Sequence, residues 1–164
     1  MIKVERLLEL LSYDSVGGTI FSMKTKKRLF PDEEGCVGVY DNKINKRYKF
    51  KYNRLCWILG NKKIPTSSDK LIHRNMNEHD CSLCNLHILP NEEYKVYKNA
   101  VKNLSGGIRV SVHPTDMYSY RVHWYESGIE KTQTVADIVV AKRLEMKLKL
   151  RFNKILTKFC YTDL

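Results

Sequence analysis

The sequence predicts an α+β chain of two small units. Three observations lead there. Short, turn-bounded strands and a few amphipathic helices fill the first hundred residues. Ser105-Gly106-Gly107 then reads as a linker or sharp turn. Beyond it the pattern changes to three strands followed by one long helix. A chain of 164 residues accommodates one domain or two small ones, and 43% hydrophobic content is enough for packed cores. The expected division is 1–104 and 105–164.

The elements follow in order. Val4, Leu7, Leu8 and Leu11 make a helical stripe over 2–11. Gly17-Gly18 marks a turn, and strands are expected at 19–23, 36–40 and 47–52. A short helix over 54–59 is stopped by Gly60 and Pro65. Residues 70–74 form a strand entering a polar loop. The segment 83–89 carries no clear period, and Pro90 suits the first turn of a helix over 91–104. Residues 108–113 and 117–126 alternate as strands around Pro114, and 130–135 follows the Ser127-Gly128 turn as a third. The helix over 136–155 has Leu144, Leu148, Phe152 and Ile155 on one stripe.

Charge narrows the partners. Lys and Arg total 29 against 18 acids, a net +11, which attracts polyanions, nucleic acid foremost. The surplus is clustered: ten basic residues against four acids over 24–54, and seven against one over 142–158. Such blocks suit binding faces; the plainer reading is a solvated basic surface. Five cysteines, an odd number without framework spacing, fit a reducing compartment. Charges at Lys3, Glu5, Arg6 and Glu9 break the N-terminal apolar stretch, so it does not read as a signal peptide. No apolar run approaches the roughly 20 residues that span a bilayer. The expected location is cytoplasmic, inside a bacterial or phage-infected cell, with no membrane partner.

Chemistry concentrates between Tyr52 and Glu93. Asn53-Arg54-Leu55-Cys56-Trp57 is followed by Leu71-Ile72-His73-Arg74-Asn75, then Asp80 and Asn85-Leu86; upstream stand Leu11-Ser12-Tyr13-Asp14 and Gly18-Thr19-Ile20-Phe21. In order and spacing, residues 7–98 resemble the HNH endonucleases of bacteriophages. The resemblance implies an HNH ββα-metal-type N-terminal domain in which a histidine activates water and one divalent ion, Mg²⁺ or Mn²⁺, stabilises charge on the scissile phosphate. On that match His73 takes the general-base position, Asn75 the loop asparagine, Asp80 the later aspartate, and Asn85 the asparagine opening the helical region. Two departures fall on the chemistry. Ile72 stands where the family has a metal-binding aspartate, and Tyr94 where it has a helical asparagine. A hard cation wants oxygen ligands, which isoleucine cannot supply. Asn91, three residues before Tyr94 on the same helical face, is the candidate replacement. A histidine at a strand end can equally serve by bonding a backbone carbonyl.

His79, Cys81, Cys84 and His87 place four zinc-type ligands in nine residues. Zinc signatures usually join two ligand pairs across a longer loop, so the alternative is a polar loop with cysteines as small core residues.

Residues 107–150 are similar to the Apetala-type DNA-binding domain, through Gly107-Ile108-Arg109-Val110-Ser111, Tyr120-Arg121-Val122-His123-Trp124 and Lys131-Thr132. The resemblance implies a small three-stranded antiparallel sheet packed on a C-terminal helix, its free face reading DNA. Strand alternation turns Val110, Val112, Val122 and Trp124 toward the helix, with Tyr118 and Tyr120 on the same side. Arg109, Ser111, His113, Arg121 and His123 face outward, and Lys131 joins them as a candidate contact. The Lys/Arg-rich face of the last helix either adds phosphate contacts or is simply solvated. The expectation is a nucleic-acid-binding member of the phage HNH family whose cleavage is lost or weak. The alternatives are an active DNA-nicking enzyme and an inhibitor of a host protein or ribonucleoprotein.

Overall fold

The computed structural model describes residues 2–160, apart from the side chain of Met117. The chain is α+β and divides into two compact units, Met1–Leu89 and Pro90–Leu164. Residues 161–164, within the expected second domain, lie outside the described residues.

In the first unit, α1 (Val4–Leu10) runs directly into β1 (Leu11–Asp14), where the backbone turns extended at Leu11. β1 pairs antiparallel with β2 (Thr19–Ser22), which pairs with the two-residue β3 (Arg28–Leu29). β4 (Cys36–Asp41) and β5 (Lys46–Lys51) form a hairpin, and so do β6 (Lys70–His73) and β7 (Leu86–Leu89). Between the hairpins lies α2 (Tyr52–Asn61). Its buried residues Tyr52, Leu55, Cys56, Ile58 and Leu59 repeat at helical spacing, so one face meets the core. Leu7, Leu11, Ile20, Val37, Val39 and Leu86 complete that core. Arg6 donates from Nε to Asp41 Oδ2 at 3.0 Å and from a terminal nitrogen to Oδ1 at 2.5 Å, tying α1 to the end of β4. This pairing holds the Asp41 carboxyl below its ordinary range.

In the second unit, α3 (Asn91–Lys102) ends in a wide turn at Asn103–Gly107, where Gly106 takes φ +101. β8 (Arg109–His113), β9 (Asp116–Glu126) and β10 (Ile129–Val135) form one antiparallel sheet with β9 in the middle. α4 (Ile138–Leu156) starts at Asp137, whose side chain accepts from Val139 N. Ala141, Leu148, Phe152 and Leu156 pack with Val122, Ile108 and Ala100.

The unit boundary falls at Leu89/Pro90, ahead of the Ser105-Gly106-Gly107 segment on which the sequence reading placed it. Ala100, Tyr97 and Val101 of α3 pack into the second core, and a buried asparagine adds to this. Asn103, 1% exposed, donates from Nδ2 to Tyr125 O at 2.8 Å and accepts from Tyr125 N at 2.8 Å. Asn99 adds a second donation to the same carbonyl. These bonds clamp the end of α3 onto the central strand, so the glycine turn lies inside the unit.

Candidate functional site

The β6–β7 hairpin carries the residues singled out by the first resemblance. His73 pairs with Leu86, and Ile72 with His87. Successive strand residues point to opposite faces. Ile72 is therefore turned away from His73, and it is buried at 4% exposure. The intervening loop is held by its own amides. Asn85 Oδ1 accepts from Asn75 N at 2.8 Å, and its Nδ2 donates to Asp80 O at 2.7 Å. Asp80 accepts from Ser82 N at 3.0 Å and from Asn75 Nδ2 at 2.7 Å. The hydroxyl and backbone of Ser82, then Asn75, hold its carboxyl below the usual range. The side-chain bonds of Asn85 are thus spent on loop architecture.

His73 is buried, and its Nε2 has no hydrogen-bond partner among the described residues. His73 and Cys81 line the same cleft, and Cys81 belongs to one buried cluster with Cys56 of α2. The Cys56 thiol points to Gly18 O, at 3.9 Å. Burial pushes ionisation of the Cys56 thiol up. Gly18 makes this packing attainable: at φ +63, a Cβ on it would lie 2.5 Å from the Cys81 carbonyl carbon. Tyr13 donates its hydroxyl to Cys81 O at 2.7 Å, and burial raises its pKa.

Above this cluster opens a cleft of about 930 Å³, wholly within the first unit. His73, His79, Cys81, Tyr52 and Asn53 line it. Its basic side chains, Arg28, Lys51, Arg54 and Lys70, face Asp32, Glu33, Glu34, Asp69 and Glu78. The walls are close to balanced in charge, so the surplus of the chain does not converge here.

Neither expected metal set is assembled. Among the described residues, one group of three ligand-type side chains has its atoms within 4.8 Å of one another: Asp32, Glu34 and Cys36. Its two carboxylates share the single ammonium of Lys49, whose Nζ lies 3.3 Å from Asp32 and 2.7 Å from Glu34. His79, Cys81, Cys84 and His87 are not gathered, for Cys81 is buried while the other three are exposed. Beside His73 the cleft offers the soft sulfur of Cys81, Ile72 is turned to the other face, and the Asp80 oxygens are engaged. That donor set does not suit Mg²⁺ or Mn²⁺. Asn91 opens α3 exposed, and the half-buried Tyr94 stacks at 6.2 Å from Tyr97; both belong to the second unit, whereas His73 belongs to the first.

The second unit presents a polar sheet face. Register places Arg109 opposite His123 and Ser111 opposite Arg121, while Val110 meets Val122 on the helix side. Ser111 Oγ lies 2.9 Å from His123 Nε2, and the Arg121 guanidinium 2.8 Å from His113 Nε2. Glu130 accepts from Arg109 at 2.6 Å and lies 3.1 Å from His123 Nδ1. This carboxylate, which sequence reasoning missed, was visible in the alternation of the third strand. Two expectations are corrected. Lys131 pairs with Trp124, which packs toward the helix, so Lys131 sits on the other face from Arg109 and Arg121. Tyr118 is 84% exposed and Val112 is 54% exposed, because the register slips between Val112 and His113 and breaks the alternation.

No family model matches the chain, and no curated protein or solved structure matches it either. Among the described residues, no helix is long and apolar enough to cross a membrane.

Proposed function

We propose that this chain is a nucleic-acid-binding protein descended from the phage HNH endonucleases, in which metal-dependent phosphodiester cleavage is lost or weak. Ile72, a buried side chain with no oxygen donor at the position where the resembled family has a metal-binding aspartate, carries the reading of lost cleavage. A histidine whose nearby Asp80 oxygens are already bonded to their own loop can take a proton but is poorly placed to recruit the cation that stabilises the departing charge. Binding is supported by the net charge of +11 and by the sheet face of the second unit, where Arg109 and Arg121 stand beside hydrogen-bonding Ser111 and His123. Guanidinium groups on a rigid sheet suit phosphate oxygens and the major-groove edge of guanine. In this reading the second unit is an Apetala-like DNA-binding module and DNA is the partner.

A gel shift on duplex DNA across a salt series, run beside plasmid relaxation in Mg²⁺ and Mn²⁺, tests it. Affinity is expected to fall steeply with salt as counterions are released, with the plasmid left supercoiled. Salt-independent binding would remove the binding half, and fast nicking abolished by His73→Ala would remove the other.

A further inference from the structure

The cleft of the first unit encloses about 930 Å³, within the roughly 300–1,000 Å³ of small-ligand sites. Three features of its wall await a partner that the chain does not supply. The first is the start of α2. Lys51, Tyr52, Asn53 and Arg54 all line the cleft, Lys51 supplies no side-chain cap, and the first turn holds no acid. Tyr52 N donates to Gly35 O and Arg54 N to Asn53 Oδ1, whereas the Asn53 amide has no partner among the described residues. The positive end of a helix therefore opens on the cleft. Arg54 is anchored there through one terminal nitrogen, which donates to Pro65 O at 3.0 Å and to Thr66 O at 3.1 Å. Its remaining N–H groups are left for an anion.

The second feature is His73. It is 7% exposed, it lines the same cleft, and its Nε2 is without a hydrogen-bond partner among the described residues. A buried polar atom left unpaired carries a cost that a bound ligand relieves. The third is Phe30, 67% exposed on the cleft wall, with the Arg28 guanidinium 4.8 Å from its ring centroid. One ring face holds a cation, and the other is open to a flat, π-rich ligand. Of the acids in the wall, Asp32 and Glu34 face Lys49, and Asp69 accepts from Thr66 N. A wall so nearly balanced in charge suits one phosphate and not a run of them.

We propose that this cleft binds a nucleoside monophosphate, its phosphate at the start of α2 with Arg54 and His73, and its base stacked on Phe30. That chemistry is shared by a free nucleotide and by the phosphorylated end of a single strand. Duplex interior offers neither part, because its bases are already stacked and its phosphates are diesters. The site lies wholly within the first unit and does not rest on duplex binding by the second.

The test is an NMR titration of the isotope-labelled full-length chain with deoxyadenylate. Saturable shifts are expected at the Asn53 amide and the His73 ring, with deoxyadenosine and inorganic phosphate each binding about tenfold more weakly or worse. Phe30→Ala, at an exposed position, should keep the fold, weaken deoxyadenylate about tenfold and leave inorganic phosphate unaffected. His73→Gln should weaken both; the Phe30 variant decides if this one fails to fold. Short oligodeoxyadenosine with and without a terminal phosphate separates the sources. Tighter binding of the phosphorylated strand than of deoxyadenylate supports a strand-end site, and the reverse order supports a free-nucleotide site. Shifts scattered over the basic surface without saturation, equal affinity for deoxyadenosine and deoxyadenylate, or full affinity in Phe30→Ala overturns the proposal. Saturation by deoxyadenylate in a chain that shifts no duplex on a gel would remove the duplex reading and keep this site. Duplex binding with no response in the cleft would remove this site alone.

Discussion

The two units use polar side chains in opposite ways. In the first, Asn85 and His73 are buried and Asp80 half-buried, and the two loop residues are bonded to their own loop. In the second, Arg109, Ser111 and Glu130 are exposed on a sheet, bonded mainly to one another. A buried polar group that loses its partner charges the whole cost to folding. An exposed network can exchange its partners for those of a ligand. The difference separates groups that build the molecule from groups free to bind, and it can be broken experimentally.

The largest effect is expected on the exposed side. Replacing Arg109 and Arg121 together with alanine should weaken duplex binding about 100-fold, since each such arginine contributes about 1–3 kcal/mol. The slope of log affinity against log salt should fall by about 2. Folding stability measured by urea should hardly change. An unaltered affinity would mean that the sheet face is only a solvated surface.

The converse is expected of Asn85. Alanine there strands Asn75 N–H and Asp80 C=O, and should cost about 2 kcal/mol in urea unfolding, with DNA affinity of the folded protein intact. A stable Asn85→Ala with altered binding would return that residue to a site.

Acid should act mainly on the first unit. Asp41 and Asp80 are held below their ordinary values by Arg6 and Ser82 respectively. A carboxylate with a depressed folded pKa contributes stability that is full above its unfolded pKa, near 4. That stability is lost as pH falls through the lower folded value. Asp41→Asn should therefore lower stability at pH 7 and flatten its decline below about pH 4. An acid limb parallel to wild type would show the pairing with Arg6 to be inconsequential.

How much of this was legible in sequence follows the range of the forces involved. Alternation and turn residues located the strands to within a residue or two, as at Cys36–Asp41 and Lys46–Lys51. The α2 and α4 stripes were equally local. β1 was not seen, because the apolar spacing of α1 continues through Leu11 where the backbone changes from helical to extended. β3, at two residues, is too short to show a period. That Cys56 and Cys81 share one buried cluster depends on α2 packing with the later loop, and no local pattern encodes it. Assignment of α3 to the second unit rests on Ala100 and Tyr97 packing into the second core and on Asn103 reaching Tyr125, long-range contacts that no local pattern shows.

The smallest expected effect is also the sharpest check on register. Lys131 lies among basic residues of the same sheet, and charge alone would count it as a DNA contact. The pairing of Ile129 with Glu126 across the Ser127-Gly128 turn decides otherwise, because a shift by one residue would exchange the faces of the whole strand. With Lys131 opposite Trp124, its ammonium is on the side of α4. Lys131→Ala should then leave duplex affinity within about twofold of wild type and the salt slope unchanged, because an amine directed away from the phosphates releases no counterion. Thr132→Lys, one residue along and opposite His123, should instead strengthen binding and steepen the slope by about 1. If Lys131→Ala weakens binding as much as a single arginine change does, the DNA lies against the other side of the strand, and the polar face of Arg109 and Arg121 is not the one that binds.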